Sequence, residues 1–231
     1  ALIPARLLGA DAPSKQVNIL QIGCGRIGRS MDMPGLLAQD RARIVAVCDL
    51  DSIRVADAKR FVEEAYAKKN LRQQVATYAD YREALQRADI DAVAISTPDH
   101  WHAQPIIEAA LAGKDIYVQK PLTMTLREGR AVSDLVRAKQ RAFQIGSQQR
   151  SGAKFRLACE LVRNGRLGKL HTVRIGLPTD PAGVVEPDMP VPPNLNYDRW
   201  LGPTPVAPYT ENRVHSQNPD AKKRYGDRPG W

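Results

Sequence analysis

Short runs of apolar residues alternate along the first two thirds of the chain with longer stretches in which apolar side chains recur at helical spacing. The short runs, rich in Val and Ile, are typical of buried strands, and the longer spacing is typical of helices. Predicted strands cover residues 17–22, 44–48, 75–78, 92–96, 116–119 and 142–146. Predicted helices cover residues 26–38, 52–68, 81–87, 105–113, 125–139 and 154–164.

Strands and helices that alternate in this way predict an α/β fold, with a doubly wound parallel sheet covered by helices on both faces. Residues 17–147 would form this Rossmann domain. One more strand-like run follows at 170–175, and then about fifty residues rich in proline and polar groups, which are too irregular for a compact domain of their own. We therefore expect residues 148–231 to be the incomplete beginning of a second domain.

Composition narrows the classes of function. A hydrophobic content of 43% is sufficient for a core. The net charge of +9 comes from scattered basic residues, of which 222–224 is the densest cluster, so no nucleic-acid site is predicted. No apolar stretch has the length of a transmembrane helix, and no membrane contact is expected.

Residues 1–16 have two interpretations. Ala10-Asp11-Ala12 after an apolar stretch fits the small-x-small cleavage pattern of a secretory signal, which would make the protein exported or periplasmic. Alternatively, the segment is a flexible arm, and a cytoplasmic location stays open.

The three cysteines, Cys24, Cys48 and Cys159, lack the spacing of a disulfide framework or a zinc site. The simplest interpretation is that all three are small buried residues. Cys24 and Cys48 follow neighbouring predicted strands, so a disulfide between them is the alternative.

A glycine-rich turn, Gly23-x-Gly25-x-x-Gly28, joins the first predicted strand to the first helix, and Asp49 ends the second strand about twenty residues later. In this context Gly23 permits a tight turn, Gly25 allows close approach of a pyrophosphate, and Gly28 allows close packing of the helix. The Asp49 carboxylate would accept hydrogen bonds from ribose hydroxyls. The next two residues include no arginine for a 2′-phosphate, so NAD is favoured over NADP. A structural turn without a ligand is the alternative.

The fourth predicted strand leads into a second candidate segment. In a doubly wound sheet the ligand crosses the carboxyl ends of the strands where the strand order reverses. Ser96, Thr97 and Pro98 should therefore border the cofactor, with His100 and His102 at the start of the next helix. The histidines could instead cap or pack the helix. His-x-His can be a metal spacing, but partner ligands are missing and no metal site is predicted.

Five segments in this order resemble the glucose-fructose oxidoreductase, inositol dehydrogenase and MocA-like family: ILQIGCGRIG, VAVCDLD, AISTPDHWHAQ, GKDIYVQKPL and GSQQRSGAKFRLACELVRNGRLGKL. The resemblance covers about residues 17–176, and DRWLGP at 198–203 is typical of longer members. It implies an NAD-binding domain followed by an α/β domain with an open sheet, which holds a sugar or cyclitol.

The family signature Glu-Lys-Pro matches Gln119-Lys120-Pro121, in which the lysine carries over and the glutamate does not. By resemblance, Lys120 is the catalytic residue and hydrogen-bonds the reacting hydroxyl beside the nicotinamide. Pro121 restricts it to an extended conformation. A lysine that only reaches from a strand end to solvent is the alternative. In the family the general acid/base is a histidine followed closely by an aspartate. His215 lacks that spacing and His171 begins a strand-like run, so the general acid/base is expected outside this chain.

Motifs and resemblance together define the predicted site. The cofactor-binding residues are Gly23, Gly25, Arg26, Ile27, Gly28, Asp49, Leu50, Ser96, Thr97, Pro98, His100, His102, Gln119, Lys120 and Gln148. The substrate-binding residues are Lys120, Arg150 and Trp200.

The motifs and the resemblance together predict that the protein is an NAD-dependent oxidoreductase, which moves hydride between nicotinamide and a CH-OH group of a sugar-like alcohol. We expect a homo-oligomer when complete, and no turnover by these 231 residues alone. The alternatives are a glycosidase of the same family that uses NAD for transient oxidation, and a non-catalytic nucleotide-binding protein.

Overall fold

The computed structural model describes residues 15–177, 186–210 and 213–217. The chain divides into two compact units: one contains Ala1–Ile145 and Glu186–Trp231, and the other is Gly146–Val185. The predicted signal remnant or arm lies almost entirely outside the described residues, as does the basic cluster at 222–224.

The secondary structure follows the sequence pattern closely. The strands are β1 Val17–Ile22, β2 Ala42–Cys48, β3 Ala76–Tyr78, β4 Ala92–Ile95, β5 Asp115–Gln119 and β6 Phe143–Gly146. The helices are α1 Met33–Leu37, α2 Ser52–Lys68, α3 Tyr81–Leu85, α4 Ala103–Leu111, α5 Leu126–Ala138, α6 Ala153–Arg163 and α7 Tyr197–Leu201. A π-helical turn, Gly28–Asp32, leads into α1, and short 3₁₀ turns cover Asp99–Trp101 and Gln148–Ser151. Thr125 and Glu128 form a capping box at the start of α5.

The sheet confirms the doubly wound fold. Its strand order is β3-β2-β1-β4-β5-β6. The pairs β1/β2, β1/β4, β2/β3 and β4/β5 are parallel. The order reverses between β1 and β4, where Ile22 pairs with Cys48 on one side and with Ile95 on the other. The carboxyl ends of these strands therefore meet at one edge, which is where this fold binds ligands.

Two hydrophobic clusters show that the sheet is buried on both faces. Ile44 and Val47 of β2 pack with Met33 and Val62 in one cluster, whereas Val45 belongs to the other, with residues of α4 and α5. Ile44 and Val45 separate because successive side chains of a strand point to opposite faces. Val47 shares the cluster of Ile44, three residues away, because the register between β1 and β2 shifts between Ile19 and Leu20 and skips Val45, which interrupts the alternation.

Within the first unit, residues 186–210 and 213–217 pack against the loop after β2 and its surroundings. Leu195 forms an antiparallel bridge with Asp51, and the backbone amide of Asn196 donates to the Leu50 carbonyl at 3.0 Å. Arg199 forms an ion pair with Asp80 at 2.8 Å. This grouping differs from the predicted single domain over 148–231, because backbone pairing joins the later segment to the loop after β2. The domain boundary at 147 stays a prediction.

The strand predicted at 170–175 is not formed. Val173 and Ile175 are exposed, and no neighbouring strand pairs with them among the described residues. Cys24 and Cys48 are free, buried thiols rather than a disulfide, whereas Cys159 is exposed on α6, against the expectation of burial. None of the helices in the described ranges combines the length and apolar character that crossing a membrane requires.

Candidate functional site

The glycine-rich turn has the geometry that a dinucleotide requires. Gly23 adopts a positive φ of 87°, and a Cβ on it would lie 2.7 Å from the Ser96 carbonyl. A Cβ on Gly28 would overlap the carbonyl oxygen of Gly23, so the helix can approach β1 only without a side chain here. At Gly25 a Cβ would meet no atom within 4 Å. Close packing surrounds two glycines and open space lies beside the third, which suits a bound pyrophosphate.

Asp49 is held beside this turn. One carboxylate oxygen accepts a hydrogen bond from the backbone amide of Cys24 at 2.6 Å, and the other accepts from the amide of Asp51 at 3.0 Å. Each carboxylate oxygen has a second lone pair, so ribose hydroxyls can still donate to the same group. Leu50 follows, and its carbonyl is used by the Asn196 amide. The roles of Asp49 and Leu50 in cofactor binding stay predictions.

The end of β4 lies against the glycine turn. The Ser96 amide donates to the Ile22 carbonyl at 2.8 Å, and the Ser96 hydroxyl donates to Asp32 at 2.6 Å. The Thr97 hydroxyl donates to the Trp101 carbonyl at 3.1 Å. Ser96, Thr97 and Pro98 are thus brought to the edge at which the strand order reverses, as the sequence predicted.

Both histidines of the β4 loop contact backbone carbonyls. His102 is fully buried, with Nδ1 2.5 Å from the Pro121 carbonyl oxygen and Nε2 2.9 Å from the Thr97 carbonyl oxygen. It therefore links the ends of β4 and β5. His100 Nε2 lies 2.7 Å from the carbonyl oxygen of Trp200. These contacts support the packing alternative for both rings. The described residues contain no group of three or more potential metal ligands.

Lys120 follows β5 at the same edge of the sheet, with an exposed side chain. The preceding Gln119 is buried, and its amide donates to both carboxylate oxygens of Asp32, at 2.7 and 3.0 Å. The peptide bond between Lys120 and Pro121 is cis. In the Gln119-Lys120-Pro121 segment, the side chain of Gln119 is thus buried and that of Lys120 remains accessible to solvent.

The remaining predicted residues are divided between the units. Trp200 lies on α7 in the first unit and contacts His100 edge to face, with ring centroids 5.1 Å apart. Gln148 and Arg150 belong to the 3₁₀ turn of the second unit. Arg26 and Ile27 begin the helix after the glycine turn.

Sequence reasoning missed two buried aspartates. Asp32 lies one helical turn beyond Gly28 and is only 8% exposed. Burial raises the pKa of Asp32, and hydrogen bonds from Ser96, Gln119 and Tyr117 oppose this rise. The available signal was an acidic residue between two methionines, Met31 and Met33, in the first predicted helix.

Asp51 is the second missed residue, and it is 2% exposed. It caps the N-terminus of α2 and also accepts from Asn194, His215 and Gln217. Burial alone would raise the pKa of Asp51, but the hydrogen bonds from His215 and Asn194 outweigh this and hold the pKa well below its usual range. Nothing local in the sequence indicates partners so far along the chain.

Comparisons with known proteins agree with this geometry. Residues 17–147 match the model of an oxidoreductase family with an NAD-binding Rossmann fold. Residues 183–221 match the model of the same family's C-terminal alpha/beta domain.

Two relatives and one solved structure indicate the range of similar proteins. The myo-inositol 2-dehydrogenase of Thermotoga maritima is 30% identical over 78% of this chain and 48% of that protein. The alpha-N-acetylgalactosaminidase of Shewanella oneidensis is 31% identical over 71% of this chain and 36% of that protein. The crystal structure of scyllo-inositol dehydrogenase from Lactobacillus casei, with bound NAD(H) and scyllo-inositol, is 26% identical with a TM-score of 0.56, over 67% of this chain and 43% of that chain.

The chain spans about half the length, or less, of these curated relatives. The family match covers more than half of the chain and includes the glycine turn, Asp49 and the Lys120 turn. The chain therefore belongs to the glucose-fructose oxidoreductase, inositol dehydrogenase and MocA-like family of oxidoreductases, whose nucleotide-binding domain is an NAD-binding Rossmann fold.

Proposed function

We propose that this protein is an NAD-dependent oxidoreductase that transfers hydride between nicotinamide and a CH-OH group of a sugar-like or cyclitol-like substrate. The observation that carries the proposal is the convergence of three elements at one edge of the sheet. The open space beside Gly25, the anchored carboxylate of Asp49 and the exposed side chain of Lys120 all lie at the carboxyl ends of parallel strands. Family membership and an inositol dehydrogenase relative support the substrate class.

The residues of this chain would act as follows. The glycine turn accommodates the pyrophosphate, and Asp49 accepts hydrogen bonds from the adenosine ribose. Bound NAD supplies the hydride acceptor. Lys120 donates a hydrogen bond to the substrate oxygen and stabilises the negative charge that develops on it when its proton leaves. The group that removes the proton is expected to be a histidine outside these residues.

Electrostatics support NAD over NADP. The Asp49 carboxylate at the ribose position would repel a 2′-phosphate, which carries negative charge. Arg54, the arginine closest in sequence, is 1% exposed. Its guanidinium donates to the Ser216 carbonyl at 3.2 Å, so it is held within the protein rather than presented to a phosphate.

A second candidate function is NAD-dependent glycoside cleavage, in which transient oxidation of the sugar is followed by its reduction. The similarity to the alpha-N-acetylgalactosaminidase of Shewanella oneidensis favours it. Both reactions would use the same nucleotide site, and they would differ only in their net products. The dehydrogenase accumulates NADH, and the glycosidase releases a sugar without net NADH.

The test is an assay of the full-length protein on a panel of hexoses, cyclitols and glycosides, with NADH absorbance and released sugar both measured. NADH that accumulates with a free sugar or cyclitol supports the proposal. Cleavage of a glycoside without NADH supports the second candidate. NAD binding with no turnover on the panel would contradict both and favour a nucleotide-binding protein.

A further inference from the structure

A buried polar network connects the glycine turn to the ends of β4 and β5. Gln21 is fully buried, and its side-chain amide donates to the Gly23 carbonyl and to the Ser96 hydroxyl, both at 2.9 Å. Ser96 donates in turn to one carboxylate oxygen of Asp32 at 2.6 Å. Gln119 donates to both oxygens of the same carboxylate. Asp32, at the end of the π-helical turn, is therefore linked directly to the ends of β4 and β5 and, through Ser96, to Gln21 of β1.

The direction of these hydrogen bonds indicates which form of the Asp32 carboxyl group the network favours. The Ser96 hydroxyl has one proton, and because its oxygen accepts from Gln21, that proton is directed to Asp32. The side-chain nitrogen of Gln119 is only a donor, and the Tyr117 hydroxyl lies 3.5 Å from the carboxylate. An ionised carboxylate accepts hydrogen bonds at both oxygens. A protonated Asp32 would carry a donor of its own, which would face the Ser96 hydroxyl and the Gln119 amide, and both of these already donate. These donors therefore favour the ionised form of Asp32 and oppose the burial that raises its pKa.

Gln119 suits an ionised Asp32, because its side-chain amide donates to the carboxylate. Its amide nitrogen lies within 3.0 Å of each Asp32 oxygen. A glutamate at this position, as in the family signature, would bring a second carboxylate to the same distance. Two carboxylates so close cannot both be ionised without a large cost. The glutamine is thus the residue that a carboxylate at position 32 requires.

We propose that Asp32 and Gln119 form a reciprocal carboxylate-amide pair, in which Asp32 is a positioning residue that holds the end of β5, and so Lys120, against the glycine turn. Asp32 acts through Gln119, which immediately precedes Lys120 in the chain. The positional effect on Lys120 rests on the proposed function, whereas the pairing itself does not.

The test is an exchange of the two groups. Asp32→Asn, Gln119→Glu and the double variant Asp32→Asn/Gln119→Glu are prepared in the full-length protein, and melting temperatures are measured without cofactor. Each single change should lower the melting temperature by roughly 5 °C or more, because it removes a charge-assisted hydrogen bond or places two acids together. The double variant restores an amide opposite a carboxylate and should recover at least half of the summed loss.

A matched control makes the same chemical change on an exposed strand position. Gln144 lies on β6 and is exposed, so Gln144→Glu should shift the melting temperature by no more than about 1 °C. The loss in Gln119→Glu should also shrink at pH 5, where the two carboxylates can share a proton. Additive losses in the double variant would overturn the pairing, as would a Gln119→Glu protein that is as stable as the wild type.

The positional effect has its own measurement. Single-turnover hydride transfer at saturating NAD should fall about tenfold in each single variant and recover in the double variant. If melting temperatures recover but all variants transfer hydride at the wild-type rate, the pair is only structural and the role given to Asp32 is wrong. The melting experiment needs no cofactor, so it decides the pairing even where the proposed function fails.

Discussion

Replacement of Asp51 by alanine should release residues 186–210 and 213–217 from the start of α2. The carboxylate accepts five hydrogen bonds. Two come from the backbone amides of residues 53 and 54 in the first turn of α2, at 2.9 and 3.3 Å. The others come from Asn194, His215 and Gln217, at 2.9, 2.8 and 3.1 Å. One side chain therefore holds both the helix terminus and the later segment.

The expected loss can be worked from these contacts. Loss of the helix cap alone costs about 1 kcal/mol. Arg54, whose guanidinium lies 3.9 Å from Asp51, is buried and would be left without that carboxylate. Removing one partner of a buried charge pair typically costs about 3–5 kcal/mol, and this larger effect should dominate. A domain of this size loses about 2–4 °C in melting temperature for each kcal/mol, so a decrease of roughly 6–20 °C is expected.

Thermal unfolding followed by circular dichroism measures the loss, and limited proteolysis reports where the chain opens. Asp51→Ala should expose cleavage sites within 186–217 before the Rossmann unit is cut. Thr125→Ala is the matched control, because Thr125 caps α5 with an exposed hydrogen bond and should cost only about 1 kcal/mol. Asp51→Asn keeps a capping side chain and removes the charge, so its loss should fall between the other two. An Asp51→Ala protein no less stable than Thr125→Ala would refute the reasoning.

The depressed pKa of Asp51 sets the sign of the pH dependence. A carboxyl group whose pKa is lower in the folded than in the unfolded protein stabilises the fold above its unfolded pKa, near 4. This stability is lost as the pH falls through the lower native pKa. The difference in melting temperature between wild type and Asp51→Asn should therefore be fully present near pH 5 and shrink below about pH 4.

Three further outcomes test the site, and a fourth tests the predicted export signal. Asp49→Ala should weaken NAD binding far more than NADP binding in calorimetric titrations, and tighter NADP binding by the unmodified protein would contradict the assignment of NAD. In the full-length protein, Lys120→Ala should lower single-turnover hydride transfer by about 10²–10⁴-fold while NAD affinity stays within a few-fold, and an unchanged rate would leave the lysine a purely structural role. Gly28→Ala should unfold at lower temperature because its Cβ overlaps backbone, whereas Gly25→Ala should melt normally and lose affinity for NADH in a fluorescence titration. N-terminal sequencing of protein from the native cell should find a mature chain that begins near Pro13, and an uncleaved cytoplasmic product would exclude export.

Local signals were sufficient for the order of elements and for the position of the glycine turn at the carboxyl edge of the sheet. The glycine turn, the acidic residue at the end of β2 and the capping box at Thr125 each depend on residues close together in the chain. Their geometry follows from backbone conformations that few other residues allow. The carboxyl edge could be predicted as well, since alternation of strands and helices leaves few topologies to choose between.

Only the tertiary structure showed how the charges at this edge are arranged. Asp32 receives hydrogen bonds from residues on β4 and β5, and Asp51 receives them from a segment more than 140 residues later. The apolar run at 170–175 has a strand-like composition, but its described neighbours offer no strand to pair with. A buried carboxylate or an isolated strand is stable only when distant groups satisfy its hydrogen bonds, and those partners are chosen by the folded topology rather than by the neighbouring sequence.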